Sequence, residues 1–129
     1  MKKDFKKALH TKSAPAAIGP YSQAIEVNGF VFASGQIPID PATGEFVEGG
    51  IKEQTRQALT NAAHIMAEAG IDLSHVVKTT VFLADMADFA AMNEVYSTFF
   101  KEPFPARSAV AVKALPKGAL VEVECVAVK

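Results

Sequence analysis

The stretch ALVEVECVAV, Ala119–Val128, reads as a β-strand with two unlike faces. Successive side chains of a strand point to opposite sides, so Val121, Val123 and Cys125 share one face while Glu122 and Glu124 share the other. A strand of this kind belongs to a sheet with one side packed on a core, and the two carboxylates pose the question of what meets its other side. Upstream, RSAVAVKA (107–114) reads as a further strand, joined to the last one by the turn residues of LPKG (115–118). VVKTTVFLAD (76–85) is rich in β-branched residues and reads as another, ending at Asp85.

Helices lie between these strands. Asp85 or Asp88 can cap a helix whose face is Phe89, Met92, Tyr96 and Phe99, an aromatic stripe of the sort that ordinarily packs a core. From Ile51 to Ala69 the residues Thr55, Leu59, Ala62, Ala63, Met66 and Ala69 recur at helical spacing, and Gly70 follows as a C-terminal cap. In AIEVNGFVFASG (24–35), Asn28-Gly29 separates two β-prone runs, a hairpin signal because both turn positions tolerate positive φ. The order of hairpin, helix, strand, helix, strand, strand predicts an α+β fold with helices on one face of a mixed, mainly antiparallel sheet.

The 129 residues suit one domain, and 50% hydrophobic with 21% charged residues is an ordinary globular composition. A net charge of -1 gives no overall field to recruit a polyanion. The basic start MKKDFKK lacks the apolar region of a signal peptide and no window is long and apolar enough to span a membrane, so the expected location is cytoplasmic. One cysteine, Cys125, excludes an intrachain disulfide and a multi-cysteine metal site; it reads as a small strand hydrophobe. His10, His64 and His75 have no ligand-like spacing and read as surface or helix-face residues, so no metal is expected.

The outer face of the sheet is not polar throughout. Ala109 and Ala111 share the face of Arg107, and Val110 and Val112 share the other. An outer face that small and apolar implies burial against a second subunit in a symmetric oligomer, which would put Arg107 near an interface.

Five segments in order carry a resemblance: APAAIGPYSQAI (14–25), ASGQIPIDPATGE (33–45), QTRQALTN (54–61), VVKTTVFLADMADFAAMNEVY (76–96) and PFPARSAVAVKALPKGALVEVECVAV (103–128). Together they resemble the Rid family of reactive-intermediate deaminases, of the RidA or YjgF type. Residues 1–13 form an extension outside the clearest match. The resemblance implies a chorismate-mutase-like two-layer fold related to the ferredoxin-like class, assembled as a homotrimer with clefts between subunits. It also implies hydrolysis of 2-imino acids and their enamines, such as 2-iminobutanoate and 2-iminopropanoate, to 2-keto acids and ammonia. Such imines come from pyridoxal-phosphate dehydratases, a functional link, and no cofactor is expected.

On this resemblance Arg107, in PARS, is the residue that binds the substrate carboxylate, and a planar guanidinium suits that task as a two-donor fork. Glu122 matches the family glutamate that assists water, and burial in a cleft would raise its pKa toward a useful range; Glu124 reads as the solvated member of the pair. Tyr21, in GPYSQ, matches the tyrosine that closes over the substrate. Ser34, Gly35, Asn93 and the backbone at Ala109 complete the expected lining, Gly35 offering the least steric obstruction. Ala109 stands where many family members have cysteine, so no mechanism through a thiol is open at that position. The segment FFKEP before FPARS is also shorter than in some relatives.

Two other function classes stay in view. An endoribonuclease or translation inhibitor would need a positive track for phosphates, and the basic residues here are dispersed beyond the first seven positions. A noncatalytic regulator binding small molecules in the same cleft would keep Arg107 but have no need of Glu122.

Overall fold

The computed structural model describes residues 5–129, so the first four residues of the basic MKKDFKK segment lie outside the description. Strand β8 (Val121–Val128) runs through the middle of a six-stranded sheet of order β1-β2-β3-β8-β6-β7. Its neighbours β3 (Phe30–Gln36) and β6 (Val76–Leu83) are both antiparallel to it. Beyond β3 lie β2 (Ala24–Val27) and the short β1 (Lys7–Leu9). Beyond β6 lies β7 (Ala106–Ala111), the one parallel pairing among the described residues, at the open edge of the sheet. The mixed, mainly antiparallel α+β architecture is therefore the one expected.

The Asn28-Gly29 turn does what its residues permit. Asn28 at φ 50° and Gly29 at φ 81° form the two-residue loop, and Val27 pairs directly with Phe30. Helix α1 (Ile51–Glu68) begins with Glu53 accepting a bond from the Gly50 N–H at 2.9 Å. It ends where Gly70 donates to Ala67 O and Ile71 to Met66 O, the paired closing bonds that a glycine at φ 81° allows. Its buried face sets Leu59, Ile65 and Met66 on Val31, Val81, Leu83, Val121 and Val123 of the sheet.

Helix α2 (Phe89–Tyr96) is shorter than the stripe from Phe89 to Phe99 implied. Ser97 Oγ donates to Glu94 O and Thr98 Oγ1 to Val95 O, so side chains capture the carbonyls of the last turn and the helix stops before Phe99. Met92 and Tyr96 are buried, Phe100 takes the core place at the end of the stripe, and Phe99 is half-buried. Three strands went unread in the sequence: β1, and β4 (Ile39–Asp40) and β5 (Glu45–Phe46) of a small hairpin, all too short to show a period.

The register decides which face is which. Arg107 pairs with Thr79 and Ala109 with Val81, both fully buried, so Arg107 and Ala109 point to the helix side. The opposite face carries Phe30, Phe32, Phe82, Val110 and Val126 around a middle band of Glu124, Thr80 and Ser108. Phe30, Phe32 and Val110 are exposed, and the two phenyl rings stack 5.9 Å apart. The outer face is thus apolar, as expected, but through aromatic residues and valine rather than through Ala109 and Ala111.

Candidate functional site

The expected residues fall into two groups. The first surrounds Arg107 in a cavity of about 410 Å³ lined by Asn93, Tyr96, Ser97, Phe104 and Pro105. Strand β7 delivers Arg107 at its second residue, and α2 lies against it. Phe89, Asn93 and Tyr96, spaced by four and three residues, occupy one helix face. The guanidinium carbon sits 4.7 Å from the Tyr96 ring centroid and 5.4 Å from that of Phe89. Nη1 donates to Asn93 Oδ1 at 2.6 Å. Under this group the Tyr96 hydroxyl and Thr79 Oγ1 share a hydrogen bond of 2.7 Å.

The second group surrounds Glu122. Tyr21, Ser34, Gly35 and Glu122 line a cavity of about 470 Å³ together with Ile18, Ile37, Ile39 and Lys117. Strand β3 gains one residue against β8 between Ala33 and Gln36, so Ser34-Gly35 forms a bulge. The bulge brings the Gly35 backbone so close to Glu122 that a Cβ there would run into its carboxylate. Glycine is favoured here by proximity rather than by its dihedrals, since a larger residue would displace the Glu122 carboxylate. Ser34 Oγ donates to Ser22 O at 2.6 Å, and its N–H bonds Gln23 O at 2.9 Å. The buried Gln23 donates in turn to the carbonyls of Thr11, Ala14 and Pro15, which fastens the loop that carries Tyr21.

Burial pushes the Glu122 carboxyl above its ordinary range, and the neighbouring Glu124 charge adds to the shift. The ring of Tyr21 is half exposed at the cavity mouth. A carboxylate held in this way can accept a proton from a water in the cavity, and a guanidinium held as Arg107 is can grip an anion in the other.

The two groups are not brought together within one chain. Arg107 projects to the helix side of the sheet, whereas Glu122 pairs with Phe82 on the outer face. Ala109 lines neither cavity; it is half-buried and packs at the margin of the core. A third hollow of about 510 Å³, bordered by Leu73, Phe99, Phe100 and Glu102, contains none of the expected residues. What the sequence reading missed is the role of Phe89 and Tyr96, assigned to the core although they stand four before and three after Asn93. The positions flanking a candidate on its own helix face were the available signal.

Cys125 is buried within β8, its thiol pushed up to about 12 by burial and by Glu124, and has no access to either cavity. His10, His64 and His75 are exposed. Among the described residues no three His, Cys, Asp or Glu side chains cluster as metal ligands, and no helix is long and apolar enough to cross a membrane.

The profile described as endoribonuclease L-PSP matches residues 11–129. A RutC family protein of Pyrococcus abyssi is 56% identical over 96% of this chain and 98% of its own length. A mouse protein named 2-iminobutanoate/2-iminopropanoate deaminase is 50% identical over 97% of this chain and 93% of its own. Among solved structures, a Rid family protein of Yersinia pestis is similar at a TM-score of 0.93 and 51% identity, covering 96% of this chain and 99% of that one.

Proposed function

Given that the chain belongs to the endoribonuclease L-PSP family, the Rid family, we propose that it is a hydrolytic deaminase of 2-imino acids. The observation that carries this reading is the Arg107 guanidinium, presented in a cavity with one N–H spent on Asn93 and further donors left for a carboxylate. The name of the mouse relative supports the substrate class.

In the proposed reaction Arg107 holds the substrate carboxylate and leaves the adjacent C=N carbon open to water. Glu122 takes a proton from that water as its oxygen bonds to the carbon. The resulting carbinolamine expels ammonia once the nitrogen has been protonated, giving a 2-keto acid. Water supplies the oxygen and no electrons are exchanged. Tyr21 covers the mouth, and Ser34, its hydroxyl proton committed to Ser22 O, presents lone pairs as an acceptor. The proposed set also includes the Ala109 backbone, two residues along β7 from Arg107.

One ligand can touch both Arg107 and Glu122 only if they come from different chains, since each chain holds them on opposite faces. We therefore infer a homotrimer whose apolar outer faces are covered and whose sites lie between neighbours. Keto-acid appearance, with a threonine or serine dehydratase generating the imine, tests the activity: the protein should raise the rate severalfold. No acceleration, together with salt-sensitive RNA binding, would favour the nuclease reading instead. Tight keto-acid binding without turnover would favour the noncatalytic regulator.

A further inference from the structure

Arg107 is gripped by neighbours from its own chain, and the grip involves more than the core requires. Tyr96 is buried, its ring centroid 4.6 Å from that of Phe100, so the carbon skeleton of a phenylalanine would pack equally well there. The hydroxyl has a specific partner in Thr79, which stands directly opposite Arg107 in the parallel register of β6 and β7. The Tyr96–Thr79 bond therefore ties α2 to the strand beside the arginine, at the point where the ring carries the guanidinium.

We propose that Tyr96, anchored by Thr79, is a positioning residue for Arg107: its ring and that of Phe89 set the plane of the guanidinium, while Asn93 sets its rotation within that plane. The inference rests on the reading of Arg107 as the carboxylate clamp. Stacking on an aromatic face restricts tilt but tolerates spinning, and a single in-plane acceptor stops the spin. The two kinds of contact together convert a flexible side chain into an oriented fork, so less freedom remains to be lost when a carboxylate binds. Burial holds the Tyr96 phenol above its ordinary pKa despite the opposing influences of Thr79 and Arg107, which keeps the tie in its neutral, proton-sharing form.

The test uses two readouts that fail separately. The first is the side-chain ¹⁵N NMR signal of Arg107 in the intact protein. Wild type should show hindered rotation about Nε–Cζ with distinct Nη resonances, and Tyr96→Leu should average them while backbone shifts elsewhere persist. The second is a cycle of Tyr96→Leu with Arg107→Ala in the imine assay. Tyr96→Leu alone should raise KM about tenfold with kcat nearly unchanged, because orienting the carboxylate serves ground and transition states alike. In the Arg107→Ala background it should change kcat/KM less than about twofold. Tyr96→Phe and Thr79→Val should give smaller effects of similar size, and Thr79→Ser should restore the wild-type signal.

Unaltered Arg107 dynamics in a folded Tyr96→Leu protein, or additive losses in the cycle, would overturn the proposal. Should Tyr96→Leu fail to fold, Tyr96→Phe and Thr79→Val decide by the same two readouts. A protein without deaminase activity but with averaging of the Arg107 signal in the variants would keep the positioning role and refute the function reading alone.

Discussion

Arg107 and Glu122 make opposite demands on their surroundings. The guanidinium gains from the aromatic faces beside it, whereas the carboxylate is pushed toward neutrality by burial. Arg107→Lys keeps the charge but loses the fork and the flat surface that stacks on Tyr96. Its kcat/KM should therefore fall about a hundredfold, close to the fall in Arg107→Ala, as a lost charge-assisted bond pair in a dry site predicts; steady-state kinetics on 2-iminobutanoate checks this. For Glu122 the raised pKa fixes the sign of the pH effect. The base form vanishes on acidification at a higher pH than for a free carboxyl of pKa 4.5, so the acid limb of the rate profile should lie above that value and flatten in Glu122→Gln. The same shift costs stability when the group is charged: nothing below the unfolded pKa, and progressively more as pH rises through the folded one. Glu122→Gln should accordingly raise Tm at pH 8 and leave it unchanged near pH 4 in a thermal melt.

At the scale of elements, local chemistry is most legible where a backbone rule leaves no alternative. Asn28-Gly29 and Gly70 were readable because a tight hairpin and a helix end both need positive φ. Gly70 has open space around its Cβ position, so Gly70→Ala meets no clash and its cost is conformational alone. We expect a loss of about 1 kcal/mol, measured by urea denaturation, with activity per folded molecule unchanged. The Ser34-Gly35 bulge was only half readable. The glycine signalled close approach, but that the approaching group is Glu122 depends on a one-residue register slip between strands nearly ninety positions apart in sequence. Helix α2 was read as amphipathic and is, yet its length depends on Ser97 and Thr98 competing for carbonyls, and two of its aromatic residues serve the site as well as the core.

For the whole molecule, the exposed Phe30, Phe32 and Val110 of the outer face and the division of the proposed site across the sheet point the same way. Light scattering should give a mass of about three chains, the closed symmetric arrangement inferred above. Mixing the chains offers a sharper check. If each site takes Arg107 from one subunit and Glu122 from the next, co-refolding equal amounts of Arg107→Ala and Glu122→Gln should restore about a quarter of wild-type activity, since random assembly in a cyclic trimer pairs two intact partners at one site in four. A site contained within one chain would leave the mixture as inactive as its components.

The sequence by itself determined the order of the longer elements, the α+β class, the Asn28-Gly29 hairpin, the first helix and the identity of the candidate residues, because these follow from short-range periodicity, turn dihedrals and motif. It also carried the two-faced character of β8. Only the tertiary structure decided that Arg107 faces the helices while Glu122 faces away, and that Phe89, Asn93 and Tyr96 surround the guanidinium. Those facts depend on which strands pair and in what register, and on which helix crosses which strand. Pairing of β6 with β7 and β8 joins residues far apart along the chain, and the period of a single strand reveals that it has two faces without revealing which one the core will claim.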